Sequence, residues 1–516
     1  MLVIPKRSAR NLLLYPYRQI HPKSAFASAS KASILPSAQD PCENSSVSKP
    51  DFAIAIMAAG KGTRLKSKRP KVLHEIGGQP LLLHVIAAAS QIVAPEDIYV
   101  IIGHEAEQVR KAVASTGVNF VEQKEQKGTG HAIQQVKAAF AGKTPPQNLL
   151  VLSGDVPLIR PETIAAIRDF HLSQNAAMTI LTAILEDPFG YGRILRQNGG
   201  SQVESIVEQK YLHPLQQDVK EINSGIYAFD TAKLFAQLGK LDSKNAQGEL
   251  YLTDIASLLV AANEKVVALT AENSEEILGA NTIAELMDLD RLLRATVTKK
   301  LMANGVTIFR PETVTIDNTV TIGPDTIIEP FVQLLGNTHI GEDCRIRSYS
   351  VIQNSRLGNN VLVRNGCIID QSTIADGALL GPYAHLRPES DIGENAHVGN
   401  FVETKKVKLG KGSKANHLTY LGDAIIGAGS NIGAGVITCN YDGVNKNTTT
   451  IGDGVFVGSD STLVAPLTLA DGSYVAAGSC ITESVPKDAL ALSRSPQVTK
   501  PEWAAKRRSR HIPKKS

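Results

Sequence analysis

The stretch 316–352, IDNTVTIGPDTIIEPFVQLLGNTHIGEDCRIRSYSVI, determines the fold of the C-terminal half of the chain. Every sixth residue in it is aliphatic: Ile316, Ile322, Ile328, Leu334, Ile340, Ile346 and Ile352. With slips of one residue, the spacing continues at Leu357, Val363, Ile369, Ile374, Leu380, Leu386, Ile392 and Val398, and again at Ile451, Val457, Leu463, Leu469, Val475 and Ile481. A period of six suits neither a helix nor a long strand. It predicts a left-handed parallel β-helix, in which three short strands form each coil and the aliphatic side chains fill a prism-shaped core.

The six-residue rhythm is lost at about 399–425 and 438–450. These segments contain NFVETKKVKLGKGSKANHLTYLGD and TCNYDGVNKNT. Because loops that interrupt a rigid scaffold often carry function, we expect two functional loops there. The flat exposed faces of such a prism also lead us to expect a homotrimer formed through the β-helix.

The N-terminal half has a different pattern, in which short apolar runs alternate with amphipathic stretches. We expect strands at 97–103 and 148–158, and helices at 80–92 and 130–141. This alternation predicts an α/β, Rossmann-like, doubly wound sheet. Ligands of such sheets bind at the carboxyl ends of the strands, which is where Gly60 and Asp155 fall. Residues 282–304 have helical spacing, end at Gly305 and are expected to form a linker helix.

The charge of the chain is concentrated at its two ends. The formal net charge is +4, with +5 in residues 1–50, +6 in residues 500–516 and −7 in between. Solvated basic tails are commoner than nucleic-acid contacts, so we expect neither a nucleic-acid nor a membrane partner. No apolar run approaches the roughly 18 residues that span a bilayer. The five scattered cysteines, without a CxxC motif, favour a reducing compartment and hence a cytoplasmic location.

The first 46 residues are rich in Ser, Ala and Arg and poor in acidic residues. This composition resembles an organellar transit peptide. A disordered extension or a misassigned start are the alternatives, with Val47 as a candidate GTG start. We expect residues 1–50 to be a disordered N-terminal extension.

The sequence AAGKGTR at 58–64 follows an apolar run and has two glycines at the expected end of a strand. Backbone N–H groups in such a turn can bind phosphate. The turn matches neither the Walker A motif nor GxGxxG, since Arg64 stands near the place of a third glycine. With Arg64 and Lys71 it indicates a cation-rich clamp for a polyphosphate. Asp155, in LSGDVP, is a candidate magnesium ligand, although a turn-forming role alone also explains it.

Several motifs together resemble the bacterial sugar-nucleotide pyrophosphorylases: AAGKGTRLKSKRPKVL, EQKGTGHA, GDVPL, GYGRI, IVEQK and EINSGIY. Joined to the hexapeptide half, they resemble one family in particular. That family pairs glucosamine-1-phosphate N-acetyltransferase with N-acetylglucosamine-1-phosphate uridylyltransferase, and the resemblance covers about residues 51–505. It implies a pyrophosphorylase domain at 51–281, the linker helix at 282–304, an acetyltransferase β-helix at 305–490 and a basic C-terminal tail at 491–516.

The resemblance also implies the roles of residues in the first domain. Arg64 and Lys71 would stabilise the transferring phosphates of UTP, while Asp155 and Asn281 would hold Mg²⁺. The other UTP and UDP-N-acetylglucosamine contacts would be Ala58, Ala59 and Gly60 at the base and phosphates, Gln123, Gly128 and Thr129 at uracil, and Gly192, Glu208 and Asn223 at the sugar phosphate.

His417 is the candidate general base of the β-helix. It lies in NHLTYLGD within the first break, near Tyr420, and the ordinary histidine pKa lies close to neutral pH. Glu403 is a candidate to orient it or to hold its protonated form. The resemblance implies that the amino-sugar phosphate is bound by Arg387, Lys405, Tyr420, Asn431 and Lys446. It implies that acetyl-CoA is bound by Asn440, Tyr441, Ser459, Ala477 and Arg494, at a site between neighbouring subunits.

We therefore expect a bacterial enzyme that acetylates glucosamine-1-phosphate and then makes UDP-N-acetylglucosamine, a precursor of peptidoglycan and lipopolysaccharide. Two rival readings remain. One is a related nucleotidyltransferase with a β-helix but no acetyl transfer, against which NHLTYLGD and CNYDG speak. The other is a non-catalytic regulatory subunit of the same shape, against which the retention of Arg64, Lys71 and Asp155 speaks.

Overall fold

The structure, a computed structural model, describes residues 52–197, 200–245 and 248–510. These residues belong to one compact unit. The predicted extension at 1–50 and the end of the basic tail, 511–516, lie outside the described residues. None of the helices in the described ranges combines the length and the apolar character that crossing a bilayer requires.

The N-terminal half is built on a mostly parallel sheet. Its strands, with the hairpin β2–β3, are β1 Phe52–Met57, β2 Glu75–Ile76, β3 Gln79–Pro80, β4 Ile98–Ile102, β5 Asn119–Glu122, β6 Asn148–Ser153, β7 Met178–Ile184, β8 Arg193–Arg196, β9 Val203–Val207, β10 Glu221–Asp230 and β11 Val266–Thr270. The order is β11-β7-β10-β6-β1-β4-β5, with β8 pairing both β10 and β9. Strand β10 runs antiparallel to β6 and β7, whereas β1 is parallel to β4 and β6.

Helices cover both faces of this sheet. The helices of the chain are α1 Leu81–Ala89, α2 Ala106–Ala112, α3 Thr129–Ala139, α4 Pro161–Gln174, α5 Thr231–Gln237, α6 Asp254–Ala261, α7 Ile283–Ala303 and α8 Trp503–Ser509. Side chains of β1 alternate between two cores: Ile54 packs with α1 and α4, and Ala55 packs with α3 and α6. The alternation confirms the predicted doubly wound fold, because the central strands β1 and β6 are buried on both faces.

The C-terminal half is a β-helix of short parallel strands. They are β12 Thr307–Ile308, β13 Thr315–Ile316, β14 Thr321–Ile322, β15 Ile327–Ile328, β16 Gln333–Leu335, β17 His339–Ile340, β18 Arg345–Ile346, β19 Val351–Gln353, β20 Arg356–Leu357, β21 Leu362–Val363, β22 Ile368–Asp370, β23 Thr373–Ile374, β24 Leu379–Leu380, β25 His385–Leu386, β26 Ser390–Ile392, β27 His397–Asn400, β28 Glu403–Leu409, β29 Lys414–His417, β30 Tyr420–Ile426, β31 Asn431–Ile432, β32 Ile437–Cys439, β33 Thr449–Ile451, β34 Phe456–Val457, β35 Thr462–Val464, β36 Leu467–Leu469, β37 Tyr474–Val475, β38 Cys480–Ile481 and β39 Leu490–Ala491.

Each strand of the β-helix pairs in register with the strand one coil later. On one face Ile316 pairs with Leu334, and Leu334 with Ile352. These aliphatic side chains are fully buried and form a single continuous core. The six-residue rhythm thus marks the inward positions of the strands in which it occurs, and the predicted β-helix is confirmed.

One of the two predicted loops is wrong. Residues 399–425 continue the coil, since β28 pairs with β30 from Glu403 to Leu409. The aliphatic rhythm is lost there because Thr404 occupies an inward position, fully buried, with its hydroxyl 2.8 Å from that of Ser390. The second break is a real insertion between β32 and β33, at residues 440–448.

Helix α7 joins the two halves. Thr282 caps it by accepting a hydrogen bond from the backbone N–H of Glu285, and the chain leaves it through Gly305 at a φ of 91°. Its residues Leu286 and Leu289 are buried against Ile76 of the hairpin β2–β3. The helix lies one residue inside each end of the range predicted from the sequence.

Candidate active sites

A cavity of about 510 Å³ opens at the carboxyl ends of β1 and β6. Its lining includes the glycine-rich turn at 58–63, together with Lys71, Gln123, Gly128, Thr129 and Asp155. The turn can pass this close because Gly62 has a φ of 60° and lies against Lys71: a Cβ on Gly62 would be 2.6 Å from that of Lys71. The predicted phosphate turn and Lys71 are therefore in direct contact.

Four polar side chains converge at the edge of this cavity. The Lys71 ammonium forms an ion pair with Asp155 and donates a hydrogen bond to the Asn281 Oδ1 at 2.9 Å. Arg64 donates to the same Asn281 oxygen at 2.7 Å. Residues more than 200 positions apart in the chain thus form one cluster of two cations, a carboxylate and an amide.

The donor set of this cluster can be tested against a magnesium ion. A carboxylate oxygen of Asp155 and the amide oxygen of Asn281 already meet at one cationic nitrogen, that of Lys71. Mg²⁺ takes oxygen ligands, usually one or two carboxylates completed by water and substrate phosphates. The cluster fits this pattern, and among the described residues no group of three or more His, Cys, Asp or Glu side chains forms an alternative metal site.

The side chain of Gln123 is buried at the far side of the cavity. Its Nε2 lies 3.0 Å from the Gly128 carbonyl oxygen and 3.1 Å from Nδ1 of His131. Gly128 has a φ of 99° and directly precedes α3, and the Thr129 hydroxyl accepts a hydrogen bond from the backbone N–H of Leu252. This rigid, polar end of the cavity suits a planar base with donors and acceptors on its edge.

A second cavity, of about 310 Å³, continues from the first and shares Met57, Thr129, Ser153 and Glu249 with it. Glu208 and Asn223 line it. The Asn223 amide donates to the Tyr227 hydroxyl at 2.9 Å, and its backbone N–H donates to the Gly192 carbonyl at 2.9 Å. Two adjoining cavities thus hold most of the residues predicted for the nucleotide and for the sugar, while Arg64, Asn281 and Gly192 lie outside their linings.

Burial controls the charge in this second cavity. Desolvation raises the pKa of Glu208; the positive charge of Lys210 opposes this rise, and Asp254 adds to it. Desolvation likewise raises the pKa of Tyr227. Burial thus acts against the charged forms of both side chains.

On the β-helix, four of the five predicted sugar-phosphate residues lie close together. Glu403 and Tyr420 are in register on neighbouring coils, and the Arg387 guanidinium donates to the Glu403 carboxylate at 2.9 Å. Glu403 is therefore paired with Arg387 in this structure. The nearby Lys446, followed by the charge of Arg387, lowers the pKa of Lys405. These three cations form a patch suited to a phosphate.

Asn431 lies apart from this patch. It is on the face formed by β29, β31 and β34, where it pairs with Lys414 and Phe456. The structure therefore brings together four of the five residues predicted for the amino-sugar phosphate and places the fifth around the corner of the prism.

His417 is exposed at that corner, in a column of residues that stack on successive coils. Its carbonyl accepts from the backbone N–H of Gly435, and the carbonyl of Ser459 accepts from that of Gly478. Arg494 donates to the carbonyl of Ala477 at 2.7 Å. Three residues predicted to contact acetyl-CoA therefore follow the predicted base along one corner.

The insertion at 440–448 carries the remaining predicted acetyl-CoA contacts. The Asn440 amide hydrogen-bonds the Asp423 carboxylate, and Tyr441 pairs with Lys446. The carboxylate of Asp442 accepts from backbone N–H groups within the insertion, which lowers the pKa of Asp442. The insertion is thus a compact turn beside the cation patch.

Sequence reasoning missed several residues that line these sites. Met57 and Ser153 line both cavities because they end β1 and β6, so the strand-end rule that selected Asp155 could have found them. Glu249 had no local signal. Ala434 lies between His417 and Ser459 in the corner column, where its carbonyl accepts from Asp460 at 2.7 Å. Only the separation of Ala434 from His417 in the sequence, which equals one coil of the repeat, could have indicated this residue.

Comparisons with known protein families agree with this architecture. The MobA-like NTP transferase domain matches residues 54–209. The bacterial transferase hexapeptide (six repeats) matches residues 319–354, and the hexapeptide repeat of succinyl-transferase matches residues 448–483. Both halves of the fold thus match families of transferases.

Three similar proteins extend this agreement over most of the chain, and each is called bifunctional protein GlmU. The protein of Koribacter versatilis (strain Ellin345) is 62% identical over 466 residues, which are 90% of this chain and 99% of the relative. That of Solibacter usitatus (strain Ellin6076) is 49% identical, with 89% and 97% covered, and that of Streptococcus equi subsp. zooepidemicus is 47% identical, with 89% and 98% covered. The chain therefore belongs to the GlmU family of bifunctional transferases.

Proposed function

We propose that the two sites described above carry the two reactions that make UDP-N-acetylglucosamine. The chain is a glucosamine-1-phosphate N-acetyltransferase and an N-acetylglucosamine-1-phosphate uridylyltransferase. The observation that carries the proposal for the second reaction is the contact of Lys71 with both Asp155 and Asn281 at the edge of two adjoining cavities.

In uridylyl transfer, a phosphate oxygen of N-acetylglucosamine-1-phosphate attacks the α-phosphorus of UTP, and pyrophosphate leaves. Positioning and charge neutralisation do most of the work in such a reaction. Arg64 and Lys71 stabilise the transferring phosphates, Gln123 reads the uracil edge, and Glu208 and Asn223 hold the sugar phosphate. When bound at Asp155 and Asn281, Mg²⁺ supplies further neutralisation of phosphate charge.

In acetyl transfer, the amine of glucosamine-1-phosphate attacks the thioester carbonyl of acetyl-CoA, and coenzyme A leaves as the thiol. His417 accepts the proton that the attacking amine loses. Arg387, Lys405 and Lys446 bind the sugar phosphate as a cation patch. The corner column with Ser459 and Ala477 offers acetyl-CoA a surface next to His417.

We propose that the acetyltransferase site is completed in a homotrimer. Asn431 lies on a different face from Lys405 and Tyr420, so a sugar that touches all three needs a face from a neighbouring subunit. Sedimentation of the purified chain tests the trimer directly. A cytoplasmic location belongs to the same proposal, since it agrees with free cysteines and with soluble substrates.

The decisive experiment is incubation of the purified chain with glucosamine-1-phosphate, acetyl-CoA, UTP and Mg²⁺, followed by detection of UDP-N-acetylglucosamine. We expect H417A to lower acetyl transfer by about 10²–10⁴-fold and to spare uridylyl transfer. We expect R64A to lower uridylyl transfer by about 10²–10³-fold and to spare acetyl transfer.

Two exposed residues provide matched controls. Arg69 forms an exposed ion pair with Glu75 close to Arg64, and His385 is exposed on β25. R69A and H385A should leave both rates within a factor of two. Absence of product from the unaltered chain, or loss of both activities in a folded single variant, contradicts the assignment of two independent sites.

A further inference from the structure

We propose that Arg294 of the linker helix is a positioning residue for uridylyl transfer. Through Asp290 and Asp317, it fixes the hairpin β2–β3 and thereby the backbone that presents Lys71. The inference rests on the proposed function, because it assigns Lys71 to the transferring phosphates. It makes the first coil of the β-helix a support of the nucleotidyltransferase site.

The tip of the hairpin is held from two sides. The backbone N–H of Gly77 donates to Oδ1 of Asp290 in α7 at 2.7 Å. The Gly77 carbonyl accepts from the backbone N–H of Asn318, in the first coil of the β-helix, at 3.0 Å. A Cβ on Gly78 would lie 2.3 Å from the Asp317 carboxylate. The hairpin therefore touches both the linker helix and the β-helix with no room for a side chain.

Arg294 connects these two supports. Its Nε lies 3.0 and 2.9 Å from the two carboxylate oxygens of Asp290, and its Nη1 lies 2.9 Å from Asp317 and 3.0 Å from the Ile316 carbonyl. The Asp317 side chain is only 7% exposed. Burial alone lowers the pKa of Arg294, but the hydrogen bonds and charges of Asp290 and Asp317 outweigh burial and raise it. One guanidinium thus neutralises two poorly solvated carboxylates.

The hairpin leads directly to Lys71. Lys71–Leu73 form a single helical turn, and the backbone N–H of His74 donates to the Lys71 carbonyl at 3.2 Å. The backbone N–H of Leu81, on the other side of the hairpin, donates to the His74 carbonyl at 2.9 Å. Asn281 lies two residues before α7 and accepts from the Lys71 ammonium, so the segment that enters this helix holds the lysine side chain. The middle of the helix holds Gly77 of the hairpin that follows the lysine.

Removal of the guanidinium leaves the Asp290 and Asp317 carboxylates without their shared cation. Unpaired buried carboxylates repel each other and draw in water or protons, and each also holds backbone of the hairpin or of the coil. Asp290 accepts from Gly77, and Asp317 accepts from the backbone N–H of Gly336 at 2.8 Å. We therefore expect the hairpin to shift and Lys71 to lose its position against the phosphates.

The test uses the full chain with R294M, R294K and the control R291M. Arg291 lies one turn before Arg294 and is 70% exposed, with a long contact to Asp288 at 3.5 Å. For R294M we expect kcat of uridylyl transfer to fall by about tenfold or more, since small displacements of reacting groups cost this much. We expect KM for UTP to change less than threefold, and acetyl transfer and R291M to stay within twofold of the unaltered chain.

R294K separates positioning from charge. Lysine is a point charge that cannot make the forked contact to two carboxylates, so we expect a kcat between those of R294M and the unaltered chain. Unchanged kcat in R294M, or an equal fall of both activities in the same preparation, overturns the inference. An unaltered chain without uridylyl transfer, or a K71A variant that keeps it, overturns the proposed function instead.

If R294M does not fold, the variant D290N tests the proposed positioning role of Arg294. Asparagine keeps an oxygen for the backbone N–H of Gly77 and leaves Arg294 paired with Asp317. A fall in kcat of at least threefold with intact acetyl transfer supports the inference, and an unchanged kcat overturns it.

Discussion

Acid should destabilise the N-terminal half through one buried histidine, His171 of α4. Its side chain is 2% exposed, and its Nδ1 lies 2.9 Å from the Thr179 hydroxyl of β7. Burial lowers the pKa of His171 from 6.5 to about 4; Asp230 partly opposes this, and Lys233 adds to it. The unfolded chain therefore binds a proton near pH 6.5 that the folded chain binds only near pH 4.

The sign and size of the effect follow from this difference. Between pH 6.5 and pH 4 the unfolded state binds more protons, so the free energy of unfolding falls as the pH is lowered through this window. The loss attributable to His171 comes to about 2 kcal/mol at pH 5 and approaches about 3 kcal/mol at pH 4. Above pH 7 this contribution to stability is fully present.

Urea unfolding followed by far-ultraviolet circular dichroism measures this loss, since α1–α6 all lie in the N-terminal half. H171N keeps an acceptor for the Thr179 hydroxyl but cannot titrate. We expect the unaltered chain to lose about 2 kcal/mol more than H171N between pH 7.5 and pH 5. H385N, at an exposed histidine of β25, should behave like the unaltered chain. Equal losses in the unaltered chain and in H171N would refute the reasoning.

Two further predictions concern the proposed metal site and the β-helix. Chelation with EDTA should abolish uridylyl transfer and leave acetyl transfer unchanged, and equal sensitivity of both reactions to EDTA speaks against the proposed site. N281A should raise the Mg²⁺ concentration for half-maximal uridylyl transfer by about tenfold, because one of the oxygen donors is lost. G458A should lower the thermal stability of the β-helix and acetyl transfer, since the new Cβ would lie 2.4 Å from the backbone nitrogen of Ala477. G412N is its control, because the space beside Gly412 is open and asparagine tolerates its φ of 68°; similar melting of the two variants contradicts the packing argument.

The architecture could be predicted because its cause is periodic. Inward side chains of the β-helix recur with each strand, so the spacing of Ile316, Leu334 and Ile352 in the sequence is enough to predict the coil. The same argument failed at Thr404, because a hydroxyl that pairs with Ser390 can replace an aliphatic side chain in the core. A pattern of hydrophobic residues does not identify buried polar residues that hydrogen-bond with each other.

The parts of the site could be predicted where the strand ends and motifs mark them, but their contacts could not. Lys71 and Asp155 were each expected near phosphates, yet nothing local indicates that they pair with each other or that both Arg64 and Lys71 reach Asn281. The contacts of Arg294 with Asp290 and Asp317 had no signal in the sequence at all. Such contacts depend on how separate segments pack, and this information is spread over the whole chain.

Because the coils stack in register, the number of paired strands between two residues gives their distance along the axis of the β-helix. Paired strands lie about 4.8 Å apart, and six such steps lead from Ile308 to Ala415, beside His417. The rise along the axis is therefore about 29 Å between the first coil of the β-helix and the coil that carries the predicted general base. If both proposed sites act, the phosphosugar acetylated at His417 has to be carried past these coils before it meets UTP.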